Sequence, residues 1–394
     1  MRIAFVHNLP SGGGKRSAFE FVRRMVKNHT VDLYYIDPTS EEYLDIRQLV
    51  NRAVLVPGPK VRGGIGVFTS LIPAMGTYAT VASKINGGGY DLAFVMQCKI
   101  CNSPFVLNYL RIPSLYYCHE PLSKALEPHY WIKEGTMGAL KKYVLKWKVY
   151  IDRANARHAT LICANSRYSV ECIYRSFGIT ARFNPLGVDT EHFSPLSMER
   201  DQIVLSVGAL TPAKAQEIII QSVSLLKTRP TINFIYNAIY KDYDFLLRQL
   251  SKRLNVSVSF SKLIKDDDLV HAYNRASLVA YPSRLEPFGF VPLEAMACST
   301  PVVGVAEGGI RETIKHNETG LLTERDPAEF GRAIEVLLED ESLRKRMGEN
   351  GRQHVTTNWT WEHSYAELEK NLYRVARGRL NGMGTPKSNC IENL

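Results

Sequence analysis

Glu286 and Glu294 stand in the segment EPFGFVPLEAMA, which combines two carboxylates with a turn-forming glycine and a helix start. The apolar, β-prone run SLVAY precedes the segment and a helix-forming run follows it, so the pair spans a strand, a loop and a helix. We expect Pro292 at the first helical position, which puts Glu294 in the first turn, where free N–H groups receive a phosphate. Glu286 lies on the loop, where Gly289 allows a ligand close to the backbone. Hydroxyl acceptors at both ends and phosphate donors between them complement a nucleotide diphosphate sugar.

This segment closely resembles the E-x7-E signature of the retaining glycosyltransferases of family 4, which have the GT-B fold. The resemblance covers nearly the whole chain and extends through the downstream motifs TPVVG, GG, E and TG, at residues 300–304, 308–309, 312 and 319–320. It implies that Glu286 contacts the transferred sugar and that Glu294 contacts the ribose. It also places three residues on the donor side: Phe288, Gly289 and Phe290. The alternative is a pair of surface glutamates beside a core helix.

Length and pattern predict two α/β domains. A chain of 394 residues exceeds what one hydrophobic core usually spans, and its apolar content of 45% supports two cores. Short β-branched or aromatic runs alternate with helical patterns, which favours doubly wound, Rossmann-like parallel sheets covered by helices. We expect strands near residues 3–7, 30–35, 53–56, 92–96, 114–117 and 161–164, and again near 203–207, 232–236, 256–260, 278–281 and 302–305. The resemblance to GT-B implies that the two domains face a central cleft.

The stretch NPLGVD, which Phe193 completes, resembles the connection between the two domains in this family, so we place the boundary near Ser194. The predicted parts are an acceptor-binding domain over residues 1–194 and a nucleotide-sugar-binding domain over 195–362. The motif NWTW then leads into a helix over 363–378. The resemblance implies that this helix crosses back onto the first domain. Residues 379–394 lack an apolar period and predict a flexible tail.

The glycine-rich loop SGGGKR follows the first predicted strand and precedes an apolar helix. Three glycines at a helix N-terminus expose N–H groups that suit an anion, although the spacing is neither a dinucleotide fingerprint nor a P-loop. By resemblance Gly13 and Gly14 lie on the donor side, and Lys15 and Arg16 lie on the acceptor side. A bland flexible turn is the alternative.

Two further positions are assigned by resemblance to the side that binds the acceptor. His119 follows a predicted strand, where the family has a histidine that faces the sugar and the acceptor, although a lone histidine is more often structural. Asn165 follows another strand and also resembles a cleft residue of the family.

The segment GALTPAKA departs from the family pattern, which has an arginine and a lysine that bind the departing diphosphate. Lys214 is retained, but Ala209 stands in place of the arginine and Ala215 in place of a following glycine. Loss of one such contact can cost about 3–4 kcal/mol in the transition state. Either another cation substitutes, with Lys15 and Arg16 as candidates, or turnover is weak.

Two clusters raise the question of a metal. Asp266, Asp267 and Asp268 open a helical pattern, where capping and the helix dipole explain acidic residues without a metal ion. The residues just before them, including Leu263, resemble the stretch whose backbone meets the nucleotide base. Cys98 and Cys101, with the neighbouring CH pair at 118–119, allow a Cys3His zinc site, but the pattern is unfamiliar and reduced thiols are favoured. We therefore expect no metal and no cofactor.

A basic helical pattern over residues 137–158 carries part of the net charge of +10. Its apolar positions share one face: Leu140, Tyr143, Val144, Trp147, Tyr150 and Ile151. Two interpretations remain open, a core helix with a solvated rim and a helix attracted to an anionic membrane surface. We expect no nucleic acid partner because no recognisable module accompanies the charge.

The expected location is the cytosol, with a possible association with the membrane face on that side. No run of eighteen apolar residues occurs, and the first six residues resemble a strand more than a signal peptide. The seven cysteines, an odd number, indicate reduced thiols rather than a disulfide framework. The implied function is front-face, retaining transfer of a sugar from a nucleotide donor to a glycan, lipid-linked or small-molecule hydroxyl. Glu286, Lys214 and His119 are the expected catalytic residues. The alternatives are a sugar phosphorylase and a nucleotide-sugar-binding protein without catalysis.

Overall fold

A computed structural model describes residues 1–59, 66–122, 139–262 and 266–380. Its described residues form two compact units, which are treated separately below. The first unit contains the described residues up to 122, those of 139–185 and those from 364 onwards, and the second contains the described residues of 186–363.

The first unit contains a parallel sheet of seven strands among its described residues, in the order β3-β2-β1-β4-β5-β6-β7. The strands are β1 (Arg2–Asn8), β2 (Thr30–Tyr35), β3 (Arg52–Leu55), β4 (Leu92–Cys98), β5 (Ser114–Tyr117), β6 (Leu161–Ala164) and β7 (Arg182–Phe183). The helices are α1 (Gly13–Met25), α2 (Gly66–Asn86), α3 (Ala139–Ala156) and α4 (Arg167–Phe177). Central strands such as β1 are almost wholly buried, as expected for a sheet covered on both faces.

The second unit repeats this plan with a six-stranded parallel sheet in the order β10-β9-β8-β11-β12-β13. Its strands are β8 (Asp201–Val207), β9 (Thr231–Tyr236), β10 (Val258–Lys262), β11 (Ala276–Tyr281), β12 (Val302–Val305) and β13 (Gly320–Thr323). Its helices are α5 (Glu217–Ser224), α6 (Lys241–Arg253), α7 (Asp266–Arg275), α8 (Phe290–Ala297), α9 (Ile310–Thr313), α10 (Pro327–Glu339) and α11 (Glu341–Asn358).

The last helix, α12 (Trp361–Leu380), groups with the first unit from Ser364 onwards. There the Ser364 hydroxyl donates to the carbonyl of Pro185 at 2.6 Å, and the His29 ring contacts the Glu369 carboxylate at 3.0 Å. The tail predicted over residues 379–394 lies outside the described residues beyond position 380.

The predicted doubly wound parallel sheets are confirmed in both units, and each predicted strand is present. The two strands that the sequence analysis missed, β7 and β13, are short and lie at the edges of their sheets. The second unit begins at Leu186, ahead of the predicted boundary near Ser194. Residues between these positions pack within that unit, because the Val188 N–H donates to Trp359 O at 2.8 Å and the Phe193 ring lies 6.0 Å from the Tyr273 ring.

One local expectation is wrong, and one open alternative is narrowed. Helix α8 begins at Phe290 rather than at Pro292, so Glu294 is its fifth residue and lies beyond the first turn. Pro292 is tolerated as the third helical residue because that N–H has no partner inside a helix. The helix predicted over 137–158 is described as α3, Ala139–Ala156, and its aromatic face is not in the core.

The outward face of α3 carries Tyr143, Trp147 and Tyr150, whose exposed fractions are 71%, 42% and 69%. The inward face combines Ile151 and Ala156, which pack on the core, with Asp152 and Asn155, which are buried and bind neighbouring loops. The core-helix interpretation is therefore wrong for the three aromatic residues. A separate search of the described helices finds no segment with the length and apolar character needed to cross a bilayer.

Candidate functional site

The order of each sheet fixes where a ligand site can form. In the second unit β8 lies between β9 and β11, so the chain winds in opposite directions on the two sides of β8. Parallel sheets of this type bind ligands outside the carboxyl ends of the strands at such a reversal. The loop after β8 carries Lys214, and the loop after β11 carries Glu286. The sheet therefore brings together two residues that are 72 positions apart in the chain.

Lys214 and Glu286 form an ion pair at this reversal. The Lys214 Nζ donates to Glu286 Oε2 at 2.6 Å and to the Tyr281 hydroxyl at 3.3 Å. Burial lowers the pKa of Lys214, but the Glu286 carboxylate and the Tyr281 side chain outweigh burial, so that pKa lies above its usual value. The two side chains are 25% and 22% exposed, which leaves both polar heads partly accessible to a ligand.

The turn before α8 places Gly289 and Phe290 next to this ion pair in the chain. Gly289 has φ of 89°, a left-handed conformation that favours glycine, and it caps the helix without a side-chain hydrogen bond. The Phe288 side chain is buried and packs against Phe290 and Trp359, with ring centroids 5.3 and 5.7 Å apart. The ring therefore lies in an aromatic cluster, and the donor contact of Phe288 stays a prediction.

Glu294 is buried, with 4% of its surface exposed. The Tyr273 hydroxyl donates to Glu294 Oε2 at 2.8 Å. This hydrogen bond fixes the orientation of one carboxylate oxygen. The contact between Glu294 and the ribose stays a prediction.

The loop after β8 contains both departures from the family pattern. Ala215, which stands in place of a glycine, has φ of 51°, a left-handed conformation that costs a residue with a Cβ energy. Ala209, which stands in place of an arginine, accepts a hydrogen bond at its carbonyl from Gln216 Nε2 at 3.0 Å. The nearby structure thus fixes the backbone of the loop but does not restore the missing guanidinium at position 209.

In the first unit the glycine-rich loop and the predicted histidine are neighbours. A Cβ placed on Gly14 would lie 3.7 Å from His119 Nε2, so the loop and the ring are in van der Waals range of each other. Ser17 in α1 donates its hydroxyl to Gly14 O at 2.7 Å, and His119 Nε2 lies 3.2 Å from the same hydroxyl oxygen. Burial lowers the pKa of His119 to about 4, so the ring is neutral at pH 7. A neutral imidazole has one nitrogen that donates and one that accepts a hydrogen bond.

Lys15 does not lie where the sequence analysis placed it. Its side chain is fully buried, and Nζ donates to Glu41 Oε1 at 2.7 Å. His7 Nε2 contacts the same carboxylate oxygen at 2.8 Å, while His7 Nδ1 accepts from Leu9 N–H at 3.3 Å. Burial raises the pKa of Glu41, but the hydrogen bonds and charges of His7 and Lys15 outweigh it and lower that pKa to about 2. The acceptor-side assignment of Lys15 is therefore revised to an internal ion pair beneath the glycine-rich loop.

The remaining predicted residues are placed as follows. Asn165 is buried at the end of β6, and its Oδ1 is among the buried atoms without a hydrogen-bond partner in the described part of the chain. Ser166 caps α4, and Ser169 in that helix donates to the carbonyl of His119 at 3.0 Å, so α4 reaches the same loop as His119. Gly13 begins α1, and Arg16 N–H donates to Gly12 O at 3.0 Å within that turn. Leu263 lies outside the described residues.

The two clusters considered for a metal have simple environments. Asp267 and Asp268 are exposed in the first turn of α7. Cys98 and Cys101 are buried, free thiols that interact with each other. A search limited to the described residues finds no group of three or more His, Cys, Asp and Glu side chains arranged to hold a metal ion.

The sequence analysis missed four partners of these residues: Tyr281, Tyr273, Ser17 and Glu41. Tyr281 ends a predicted strand and therefore stood at a position where a site residue is common. Ser17 lies three residues after Gly14 in α1 and could have been found from helical spacing. Glu41 and Tyr273 carry no local signal, because each meets its partner only through tertiary packing.

The chain was compared with known families and proteins. Residues 188–354 match the sequence profile of the family described as Glycosyl transferases group 1. The D-inositol 3-phosphate glycosyltransferase of Salinispora arenicola is 33% identical over 206 residues, which are 48% of this chain and 46% of that protein. The GDP-mannose-dependent monoacylated alpha-(1-6)-phosphatidylinositol monomannoside mannosyltransferase of Corynebacterium glutamicum is 28% identical over 221 residues, 50% and 58% of the two chains. The chain thus spans about half the length of these curated relatives.

Solved structures resemble the chain over nearly its full length. HepE of Anabaena in complex with UDP matches with a TM-score of 0.75 and 19% identity, over 95% of this chain and 100% of that one. Sucrose-phosphate synthase of Thermosynechococcus elongatus matches with a TM-score of 0.75 and 20% identity, over 96% and 99%. Each unit is a Rossmann-like parallel-sheet domain, and the GT-B fold class predicted from the sequence is confirmed.

The buried ion pair of Lys15 yields a stability prediction. Lys15→Met should lower the free energy of unfolding by about 3–5 kcal/mol, because it leaves the Glu41 carboxylate buried without its ammonium partner. Replacing Glu41 by Gln in the same chain should recover part of this loss. In the parent, the contribution of Glu41 to the free energy of unfolding is present above pH 4.5 and is lost as the pH falls towards 2. The reason is that the pKa of Glu41 is lower in the folded state than in the unfolded state.

Urea denaturation measures these effects, with Lys27→Met as the matched control because Lys27 is an exposed lysine just after the same helix. A Lys15→Met protein that unfolds like the parent but binds substrate more weakly would restore the acceptor-side assignment.

Proposed function

We propose that the protein is a retaining glycosyltransferase that transfers a sugar from a nucleotide diphosphate sugar to an acceptor hydroxyl. The observation that carries the proposal is the Lys214–Glu286 ion pair of 2.6 Å at the reversal of the second sheet. It places one cation and one carboxylate beside the start of α8, where N–H groups are available to phosphate oxygens. The match of residues 188–354 to group 1 glycosyltransferases supports the same chemistry.

In the proposed reaction the bond between the sugar C1 and the donor phosphate oxygen breaks as the acceptor oxygen attacks from the same face. Lys214 stabilises negative charge that develops on the departing diphosphate. Glu286 orients the sugar through its hydroxyls, and the departing phosphate oxygen takes the acceptor proton. The backbone at Gly289 and Phe290 adds N–H donors to the diphosphate, and Glu294 binds the ribose.

The acceptor side of the proposal rests on the first unit. His119 has a neutral imidazole, with one donor and one acceptor nitrogen, next to the glycine-rich loop. Such a group binds an acceptor hydroxyl without adding positive charge. A polyol, a glycan or a lipid-linked sugar presents hydroxyls of this kind, and the names of the relatives from Salinispora and Corynebacterium include an inositol phosphate and a phosphatidylinositol mannoside.

A second candidate function is nucleotide-sugar binding without catalysis. Ala209 favours it, because an alanine provides no charge for the departing diphosphate. A thermal-shift screen with nucleotide sugars identifies the donor under either function, because a ligand of the folded state raises its stability by mass action. Transfer or donor hydrolysis then separates the two candidates.

Replacing Lys214 tests the leaving-group role. We expect Lys214→Ala to lower kcat about 10²–10³-fold, since a preorganised charge aimed at the departing oxygen is lost. Ala209→Arg should retain or increase activity. Steady-state transfer assays measure both, and Lys345→Ala is the control because it removes a lysine exposed on α11. A Lys214→Ala enzyme with parental turnover would remove Lys214 from the mechanism.

We further propose that transfer needs no divalent metal, because Lys214 supplies positive charge where metal-dependent enzymes use an ion. Dialysis against EDTA should leave kcat unchanged, and added Mg²⁺ or Mn²⁺ should have no effect on the dialysed enzyme. A loss of turnover in EDTA that either ion reverses would contradict the metal assignment.

We also propose that α3 contacts an anionic membrane surface, which would suit a lipid-linked acceptor. Tyr143, Trp147 and Tyr150 follow helical spacing on one exposed stripe, and Lys146 and Arg153 are exposed beside it. Aromatic rings and basic residues in this arrangement fit the interface of a bilayer, where each basic residue contributes about 1 kcal/mol.

Vesicle cosedimentation tests this surface. The parent should bind vesicles of equimolar phosphatidylcholine and phosphatidylglycerol, bind pure phosphatidylcholine weakly, and dissociate at high salt because the attraction is screened. A Tyr143→Ser, Tyr150→Ser double variant should lose most of this binding. Phe245→Ser is the control, since Phe245 is 65% exposed on α6. Equal binding of the parent and the double variant would exclude α3 as the contact.

A further inference from the structure

Glu307 and Arg325 form a forked ion pair at the carboxyl end of the second sheet. Arg325 Nε donates to Glu307 Oε1 and Arg325 Nη2 donates to Glu307 Oε2, each at 2.7 Å. Glu307 follows β12 and Arg325 follows β13, so the pair joins the loops after two neighbouring strands. The side chains are 29% and 17% exposed, and a planar guanidinium with two parallel hydrogen bonds is the most directional of the protein ion pairs.

Both members of the pair also bind the loop that leads to Glu286. Arg325 Nη1 donates to the carbonyl of Pro282 at 2.7 Å, and Nη2 donates to that of Ser283 at 3.2 Å. In the opposite direction, the backbone N–H of Leu285 donates to Glu307 Oε2 at 3.3 Å. The pair therefore contacts three of the four residues that immediately precede Glu286.

The same loop is held at Glu286 itself by the glycines that follow Glu307. Gly309 N–H donates to the carbonyl of Glu286 at 2.8 Å. A Cβ on Gly308 would lie 2.5 Å from that carbonyl oxygen, so the close approach of the two loops requires glycine there. Leu285 has φ of 46°, a left-handed conformation that is unfavourable for leucine and persists only where contacts hold it.

The ion pair remains charged at neutral pH. Burial raises the pKa of Glu307, but the hydrogen bonds and charge of Arg325 outweigh burial and keep that pKa below its usual value. At neutral pH the Glu307 carboxylate therefore accepts hydrogen bonds from Arg325 and from the N–H of Leu285.

We propose that Glu307 and Arg325 are positioning residues that hold the 282–286 loop so that the Glu286 carboxylate is aimed at Lys214. This inference rests on the proposed function, because the direction of Glu286 matters only if that carboxylate binds the donor sugar. The pair acts through the backbone and does not touch the substrate. Breaking it lets the loop relax around the strained Leu285, and Glu286 then moves away from Lys214.

The first experiment measures catalysis. Arg325→Gln should lower kcat by about 10²-fold, since a misplacement of about 1 Å in a catalytic group has an effect of this size. Arg325→Lys, which retains the charge but not the fork, should lie between this variant and the parent. The affinity for the nucleoside diphosphate should change little, because that product lacks the sugar. Rates are normalised to nucleotide-binding sites, so that loss of folded protein does not enter them.

The second experiment needs no turnover. It detects a movement of Glu286 from the rate at which the amine of Lys214 is acylated. In the parent the Glu286 carboxylate raises the pKa of Lys214, so its amine reacts slowly with an acylating reagent at alkaline pH. Arg325→Gln should speed acylation of Lys214, measured by peptide mass spectrometry, by about tenfold for each unit of lost pKa shift. Glu286→Gln provides the upper reference.

Arg275→Gln is the matched control. Arg275 forms an ion pair with Asp201, its Nε and Nη2 both donating to Oδ2, where β8 and β11 begin, so it tests the loss of an arginine–carboxylate pair in the same unit away from the site. It should leave kcat and the acylation of Lys214 unchanged.

The two experiments separate this inference from the proposed function. A parent without transfer or donor hydrolysis contradicts the proposed function, while faster acylation of Lys214 in Arg325→Gln still supports the positioning role. The role is overturned if Arg325→Gln is acylated at the parental rate although Glu286→Gln is acylated faster. It is also overturned if Glu286→Gln itself leaves acylation unchanged, because the ion pair on which the readout depends would then be absent.

Discussion

The ion pair between Lys214 and Glu286 depends on the order of strands in the second sheet. Each residue lies in a loop whose direction is set by the strand before it, and β8 and β11 are hydrogen-bonded neighbours at the point where the winding reverses. A parallel sheet exposes the carboxyl ends of its strands on one edge, so both loops reach the same place. Tyr281 and the pair of Glu307 and Arg325 then fix the directions of the two side chains.

Each unit has a lysine–glutamate ion pair after the first strand of its sheet, but the two pairs differ in how far they are buried. Lys15 follows β1 in the first unit as Lys214 follows β8 in the second, and each pairs with a glutamate. Lys15 and Glu41 are fully buried, whereas Lys214 and Glu286 remain about a quarter and a fifth exposed. A buried pair is costly to separate and therefore fixes a loop. A partly exposed pair can exchange one partner for a charged ligand, which suits the donor chemistry proposed for the second unit.

Burial shows which face of α3 is exposed, which the periodicity of the sequence leaves ambiguous. The aromatic and basic residues share a stripe in either interpretation, because helical spacing alone decides which residues are neighbours. The inward side carries Asp152, which accepts from the N–H groups of Ser103 and Leu122, and Asn155, which donates to the carbonyl of Ser103. Ile151 and Ala156 pack on the core from the same helix. The inward side thus has both polar and apolar contacts, and Tyr143 and Tyr150 are exposed on the other side.

The sequence by itself determined the two α/β domains, nearly all of their strands, and the positions of Glu286, Lys214 and His119 after strands. These features are local, since β-branched runs, glycines and helix starts are read within a few residues. Tertiary structure alone decided that Lys15 is internal, that Phe288 packs in an aromatic cluster, and that Tyr281 contacts Lys214. Burial and pairing depend on residues distant in the chain, such as Glu41, Trp359 and Arg325, whose partners are fixed only when strands and helices pack together.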